Sequence, residues 1–342
     1  MQDCAGLNHN RSMRSPLQPP ALRCVPGTMP LVLDSPHSGV NYPNDFGYAS
    51  DLAVLRRAED THVEKLYDFA PSLGVAWVEA LFPRSYLDTN RSTADIDVSL
   101  FDEPWPDAVT TEFGALKKLR LGKGLIWRTT DDGLPIYRRA LSVAEARARI
   151  ANYWQPYHAA VAQAIDAAHA RHGYSIHLNC HSMPAIASSH STEFPGEAHA
   201  DFVIGDRDSS TASSSLVKLI CDHLLGLGYS VSYNHPYKGV ELVRAYSDPA
   251  EQKHSLQIEV NRKLYMNEDS RERSAGFDVL QRDLTQLVAA IAGFAREQVP
   301  AGGHHHDCGH DHGHDHGHAH DHGHDHDHAH KHDGHGHKPH EH

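Results

Sequence analysis

The chain has 342 residues, with 44 acidic against 31 basic side chains and a net charge of −13. That balance excludes the basic footprint of a nucleic-acid or anionic-membrane binder, and no run of about 18 apolar residues occurs that would span a bilayer. The last 39 residues, His304 to His342, hold 19 of the 32 histidines and almost no aliphatic side chains. They cannot join a core, and the roughly 300 residues before them suffice for one large domain.

Residues 1–28, with Arg11, Arg14, Pro16, Pro19 and Pro20, lack the apolar stretch of a secretory signal and read as a loose N-terminal arm; Met29 offers an alternative start. Cys4, Cys24, Cys180, Cys221 and Cys308 are few, odd in number and scattered, which argues for reduced thiols and a cytoplasmic protein. Residues 31–33 are a short apolar strand that stops at Asp34-Ser35-Pro36. Over 51–70, Leu52, Leu55, Val63, Leu66 and Ala70 form one stripe at helical spacing, with Gly74 as the stop and a strand over 75–78. Residues 84–133 are polar and irregular, dense in Asp, Pro and Gly; a connection that long serves a function or carries short elements of its own.

The spacing over 142–172 predicts the longest helix, opened by a Ser142–Glu145 capping box, closed by Gly173 and kinked or divided at Pro156. A buried strand over 174–178 leads into Asn179-Cys180-His181-Ser182. A helix over 211–226, a strand over 229–233, an apolar strand over 256–260 and a last helix over 269–297 follow. Strands alternating with helices imply an α/β fold, a mostly parallel, mixed sheet with helices on both faces, spanning a body at 29–299 ahead of a tail at 300–342. In such sheets ligands bind where strands end and loops begin.

Three strand ends carry polar clusters: Ser35-Pro36-His37-Ser38-Gly39, His177 to Pro184, and Gln257-Ile258-Glu259-Val260-Asn261-Arg262. Singly, each is explained by a hydrogen-bonded polar residue at a sheet end; three in one sheet are not. Alternation would point His177, Asn179 and His181 one way, with His181 inside the strand or just beyond it. Glu59 and Asp60 fall near the apolar stripe of 51–70, where an acid is costly without a cation. His37, one of these acids, and His181 make a three-ligand N/O/N set, that of a catalytic zinc with its fourth position left to water. Glu259, an acid in an apolar strand, suits a general base whose pKa is raised.

SPHSG, DTHVEKLYDFA, RSYLDTNR, GLIWR, PIYRR, PYH, LNCHSMP, DFVIGDR, NHPYKG and IEVNRKLYM resemble, in order, the blocks of the N-formylglutamate amidohydrolases, over about residues 31–299. The resemblance implies a metal-dependent amidohydrolase with a fold similar to zinc exopeptidases, cleaving N-formyl-L-glutamate to formate and glutamate as the last step of one route of histidine degradation. It selects Asp60 over Glu59, because the family's block places Asp two residues before His as in Asp60-Thr61-His62. Metal ligation then falls on His37, Asp60 and His181, and the general-base role on Glu259. Asp88-Thr89-Asn90-Arg91 matches a DLNR-like signature with Thr89 in the apolar place. Asn179 stands where the family often has Asp; if that acid orients the ligand histidine, an amide does so more weakly.

A substrate with two carboxylates calls for arginines that bind them in bidentate fashion. Arg91 and Arg262, inside family-like blocks, and Asn90, Arg84 and Arg138 are the substrate-binding candidates. The alternatives are an ion pair of Arg91 with Asp88 or Asp95, and a surface salt bridge for Arg262. Asn234 and Lys238 sit at the entrance or in a turn; His62 is an outer partner, a ligand or a helix-face residue; His158 packs beside the kink. In the tail, His304, His305, His306, His310, His312, His314 and His316 open a low-complexity run suited to many weak divalent-metal sites. The expected cofactor is Zn2+, with Co2+, Ni2+ or Mn2+ as alternatives, and the partners are a small-molecule substrate and metal ions on the tail. Two other readings are a metallohydrolase of another N-acyl amino acid or small peptide, and a non-catalytic metal-storage protein or metallochaperone.

Overall fold

Alternating strand residues face two different cores in this chain, and that division organises everything else. The computed structural model describes residues 20–189 and 194–300; the tail, with its histidine candidates, lies outside them. The strands are β1 (Leu22–Val25), β2 (Leu31–Ser35), β3 (Ala76–Ala80), β4 (Ser175–Met183), β5 (Phe202–Gly205), β6 (Val231–Tyr233) and β7 (Lys253–Asn261). They form one sheet in the order β1-β3-β2-β4-β7-β5-β6. β3, β2, β4 and β7 run parallel, while β1 pairs antiparallel with β3 and β5 antiparallel with β7, so the sheet is mixed.

The helices are α1 (Leu52–Leu55), α2 (Val63–Leu66), α3 (Phe113–Arg120), α4 (Val143–Arg149), α5 (Gln155–His172), α6 (Ser214–Gly226), α7 (Glu241–Ala245) and α8 (Phe277–Glu297). On one face Leu31, Leu33, Trp77, Ile176, Leu178, Leu256 and Ile258 pack with apolar residues of α2, α6 and α8. On the other, Val32, Ala76 and Val78 pack with α5, α7 and the loop around Leu125 to Trp127. The second core stops short of the middle of the sheet. There the residues of matching parity are Asp34, His177, Asn179, His181, Ser255, Gln257 and Glu259, all buried. A period of two thus places apolar side chains on one face of β4 and β7 and a polar strip on the other.

Several elements differ from the sequence expectations. β1 lies within the segment expected to be a loose arm; ladder pairing of Leu22–Val25 with Ala80–Trp77 orders it, and its side chains are not buried, so apolar pattern gave no sign of it. The helix expected over 51–70 is broken. Glu59 is extended and His62 sits at φ 67°, and the interruption brings the backbone N–H of Asp60 to the carbonyl of His37 at 3.0 Å. The last helix starts at Phe277 rather than 269. β4 runs through His181 to Met183, and β5 arises within the DFVIGDR block. Between α4 and α5 a π-helical turn spans Ile150–Trp154, which accommodates the missing N–H of Pro156 without ending the helix. The capping box at Ser142 and the left-handed Gly173 terminator are both present.

Gly39 follows His37 at a backbone crossing with no room for a side chain: a Cβ there would lie 2.4 Å from Leu81 C and Phe82 O. Gly39→Ala is therefore expected to lower stability by about 1–3 kcal/mol, as overpacking does, read as a lower midpoint in urea unfolding.

Candidate metal centre

Four sequence segments deliver the site. β2 ends at Ser35 and the next turn carries His37; the broken helix presents Asp60; β4 presents His181; β7 sets Glu259 directly beside His181 in register. His37, Asp60 and His181 are all buried, and one ligand atom from each lies within 4.8 Å of the others.

The surrounding hydrogen bonds decide which ring nitrogens face inward. His37 Nε2 donates to Asp88 Oδ1 at 2.7 Å, leaving buried His37 Nδ1 with no hydrogen-bond partner, 3.6 Å from Asp60 Oδ2. His181 Nε2 contacts Asn179 Oδ1 at 2.7 Å. That amide is oriented by its Nδ2 donating to Asp34 Oδ1 at 2.7 Å, so Nε2 must carry the proton. His181 Nδ1, with its lone pair, then sits 2.9 Å from Asp60 Oδ2. Two imidazole lone pairs directed at one carboxylate call for a positive charge between them, so the donor set fits a divalent ion in an N/O/N arrangement. Asp88 and Asn179 are the outer partners that hold the two rings.

Burial alone would raise the carboxyl of Asp60, but its close contacts with His181 and His37 and the charge of Arg84 hold it well below the usual carboxylate range. The same balance, with His37, Arg84 and Arg91 on the lowering side, keeps Asp88 well below it. Glu259 is the contrast. Burial, reinforced by Asp60 and opposed by His181, Arg84 and Arg262, pushes its carboxyl up to about 7. Gln257 Nε2 donates to Glu259 Oε1 at 2.8 Å.

The site opens into a cleft of about 1320 Å³ lined by all four residues. Of the arginine candidates, Arg84 donates to Asp88 Oδ2 at 2.9 Å and Arg262 to Asp60 Oδ1 at 3.1 Å, so both neutralise site carboxylates. Arg91 lines the cleft and donates to the carbonyls of Lys123 and Asn90, forming no ion pair with Asp88 or Asp95. Arg138 is exposed and does not line the cleft; a position in a PIYRR block did not reveal which way the turn faces. Asn90 lines the cleft beside His181: its Nδ2 lies 3.3 Å from Asn179 Oδ1, and its Oδ1 accepts from Leu242 N. Asn234 binds Asp206 and Lys238 pairs with Asp208. His62 Nε2 donates to the Arg271 carbonyl and stays outside the ligand cluster. His158, stacked on Trp154, donates to the Thr89 carbonyl at 2.8 Å and so supports the loop of Asp88 and Asn90.

Sequence reasoning missed Asp34 as the anchor of the strip. It accepts from Tyr157, His177 and Asn179 at 2.7, 3.0 and 2.7 Å. The available signal was an acid inside an apolar run. Asp88 was noted for its block and as an ion-pair partner of Arg91, although it holds the ring of His37.

A model of the family described as N-formylglutamate amidohydrolase matches residues 29–266. An N-formylglutamate deformylase of Pseudomonas aeruginosa is 27% identical over 281 residues, 80% of this chain and 96% of that protein. One of Pseudomonas putida is 27% identical over 285 residues, with the same coverage. The crystal structure of an N-formylglutamate amidohydrolase from Ralstonia eutropha JMP134 is 44% identical, covers 82% of this chain and 99% of its own, and has a TM-score of 0.77.

In a chain ending at Gly303, which removes the tail histidines, inductively coupled plasma mass spectrometry after dialysis should find a bound divalent ion. Asp60→Ala should abolish it, and Asp88→Asn should weaken it about 10- to 100-fold, the usual cost of losing an outer partner.

Proposed function

The chain belongs to the N-formylglutamate amidohydrolase family, and from that membership we propose that it hydrolyses N-formyl-L-glutamate to formate and L-glutamate. The observation that carries the reading is the convergence of two inward-facing imidazole nitrogens, one carboxylate and Glu259 at the floor of an arginine-lined cleft. His37, Asp60 and His181 would hold a divalent ion, zinc by preference for this N/O/N set with Co2+, Ni2+ or Mn2+ as alternatives, which when bound polarises a carbonyl and lowers the pKa of water.

The residues of the chain do the rest. Glu259, with a carboxyl near 7, takes a proton from the attacking water and returns it to the departing amine, a transfer that works best when acid and base forms are both accessible. Gln257 fixes one oxygen of Glu259 and leaves the other to the proton. Arg91 binds a substrate carboxylate; Arg84 and Arg262 keep Asp88 and Asp60 ionised. Tyr237 lines the cleft, and burial followed by the charge of Glu259 pushes its hydroxyl above its ordinary value, so it stays an O–H donor toward oxygen charge developing on the substrate. The histidine tail buffers divalent metal and delivers it to the centre.

Hydrolysis of N-formyl-L-glutamate, read as released amino acid, should exceed that of N-formyl-L-aspartate and N-acetyl-L-glutamate, and turnover of neither formyl substrate would overturn the assignment. Glu259→Gln should lower kcat by about 10²–10⁴-fold, the range for loss of a general base, while the metal content is kept. At limiting zinc, the full chain should activate faster than a chain ending at Gly303; equal activation would remove the delivery role.

A further inference from the structure

Six buried or half-buried arginines line the cleft: Arg84, Arg91, Arg128, Arg207, Arg262 and Arg271. Four are committed. Arg84 pairs with Asp88, Arg128 with Asp97, Arg262 with Asp60 and Arg271 with Glu59. Arg91 and Arg207 meet no carboxylate among the described residues. Their hydrogen bonds go to backbone carbonyls, Asn90 and Lys123 for Arg91 and Gly239, at 3.3 Å, for Arg207. A neutral acceptor does not discharge a guanidinium, so these two cations are the ones left to meet an anionic ligand. Lys238, on the same rim as Arg207, is paired with Asp208.

The backbone under Arg207 is held in an unusual way. Arg207, Asp208 and Ser209 are consecutive left-handed residues with φ of 55°, 60° and 66°, a conformation disfavoured for each L-residue. Buried Asp206 clamps the turn by accepting from Ser209 N, Asn234 Nδ2 and the Tyr233 hydroxyl, each at 2.8 Å. Arg207 N donates to Lys238 O at 2.8 Å, and Gly205 passes so close that a Cβ would lie 2.6 Å from Lys238 C. Strain of this kind persists where the surroundings over-determine it, and such positions cluster at ligand sites. Gly205 pairs with Gln257, which sets the turn beside the strand that carries Glu259.

We propose that Arg207 is a specificity-determining residue that binds the side-chain carboxylate of the substrate, with Arg91 binding the α-carboxylate. The assignment rests on the deformylase reading above. Arg91 follows Asn90, whose amide lies 3.2 Å from His181 Nε2, and the α-carboxylate sits on the carbon bonded to the scissile nitrogen, so the arginine next to Asn90 takes it. Arg207, on the turn after β5, takes the carboxylate at the far end of the side chain. A guanidinium strongly favours a charged oxygen pair over a neutral amide.

The test compares N-formyl-L-glutamate with N-formyl-L-glutamine, its near-isosteric neutral amide, in wild type, Arg207→Ala and Arg207→Lys. Arg207→Ala should lower kcat/KM for the glutamate substrate about tenfold to hundredfold more than for the glutamine substrate, mainly through KM, the scale of a lost charge-assisted hydrogen bond. Arg207→Lys should recover part of the preference. Equal losses on both substrates, or none on either, would overturn the assignment, and the glutamine reaction reports in the same experiment whether the variant folds. If the wild type cleaves neither substrate, the deformylase reading falls and the assignment with it; if it cleaves both and the ratio does not move, only the assignment falls.

Discussion

Asp34, Asp60 and Asp88 are buried carboxylates gathered at one end of one sheet, and the rest of the site is arranged to make that tolerable. An ionised carboxylate taken out of water costs several kcal/mol unless donors and opposite charges replace the solvent. Asp34 receives a phenol, an imidazole and an amide. Asp88 receives His37, Arg84 and the indole of Trp127, and Asp60 receives Arg262 and faces the imidazoles of His37 and His181. Each donor is thereby immobilised. The ring orientations of His37 and His181 are consequences of where these charges are compensated.

The two-faced sheet makes the concentration of charge possible. One face of β4 and β7 rests on a continuous apolar core with α2, α6 and α8, which anchors the strands without help from the polar strip. The opposite face is free to carry His177, Asn179, His181, Gln257 and Glu259 in adjacent rows. Glu259 differs from the three aspartates in degree of compensation. It has an amide partner in Gln257 and no direct salt bridge among the described residues, so burial dominates and its carboxyl rises. One region therefore holds carboxylates lowered below the usual range beside one raised above it, a contrast set by their surroundings.

The parts legible in the sequence were those encoded by local chemistry. The capping box at Ser142, the glycine terminator at Gly173 and the strand ends bearing PHSG, CHSM and IEVN act over a few residues, and the structure has each in place. The parts that escaped depend on distant partners. The stripe over 51–70 satisfies helical spacing, yet the helix is broken where Asp60 bonds to the backbone of His37 and its side chain to Arg262. β1 is ordered by β3, not by its own burial. Arg138 and Arg207 look alike in sequence; one turn faces solvent and the other the cleft.

By itself, then, the amino-acid order determined the chemical inventory and the strand-helix alternation, because side-chain identity and periodicity are local properties. Tertiary structure decided which of two adjacent acids stands beside His37 and His181, which imidazole nitrogens face it, and which cleft arginines contact no carboxylate among the described residues. Glu59 and Asp60 are neighbours in the chain, but Glu59 is spent on Arg56, Arg271 and Tyr42 while Asp60 stands between His37 and His181. Electrostatic roles of this kind are set by which charges are brought within a few ångströms in low dielectric, and that is settled only when segments more than a hundred residues apart pack on the same sheet.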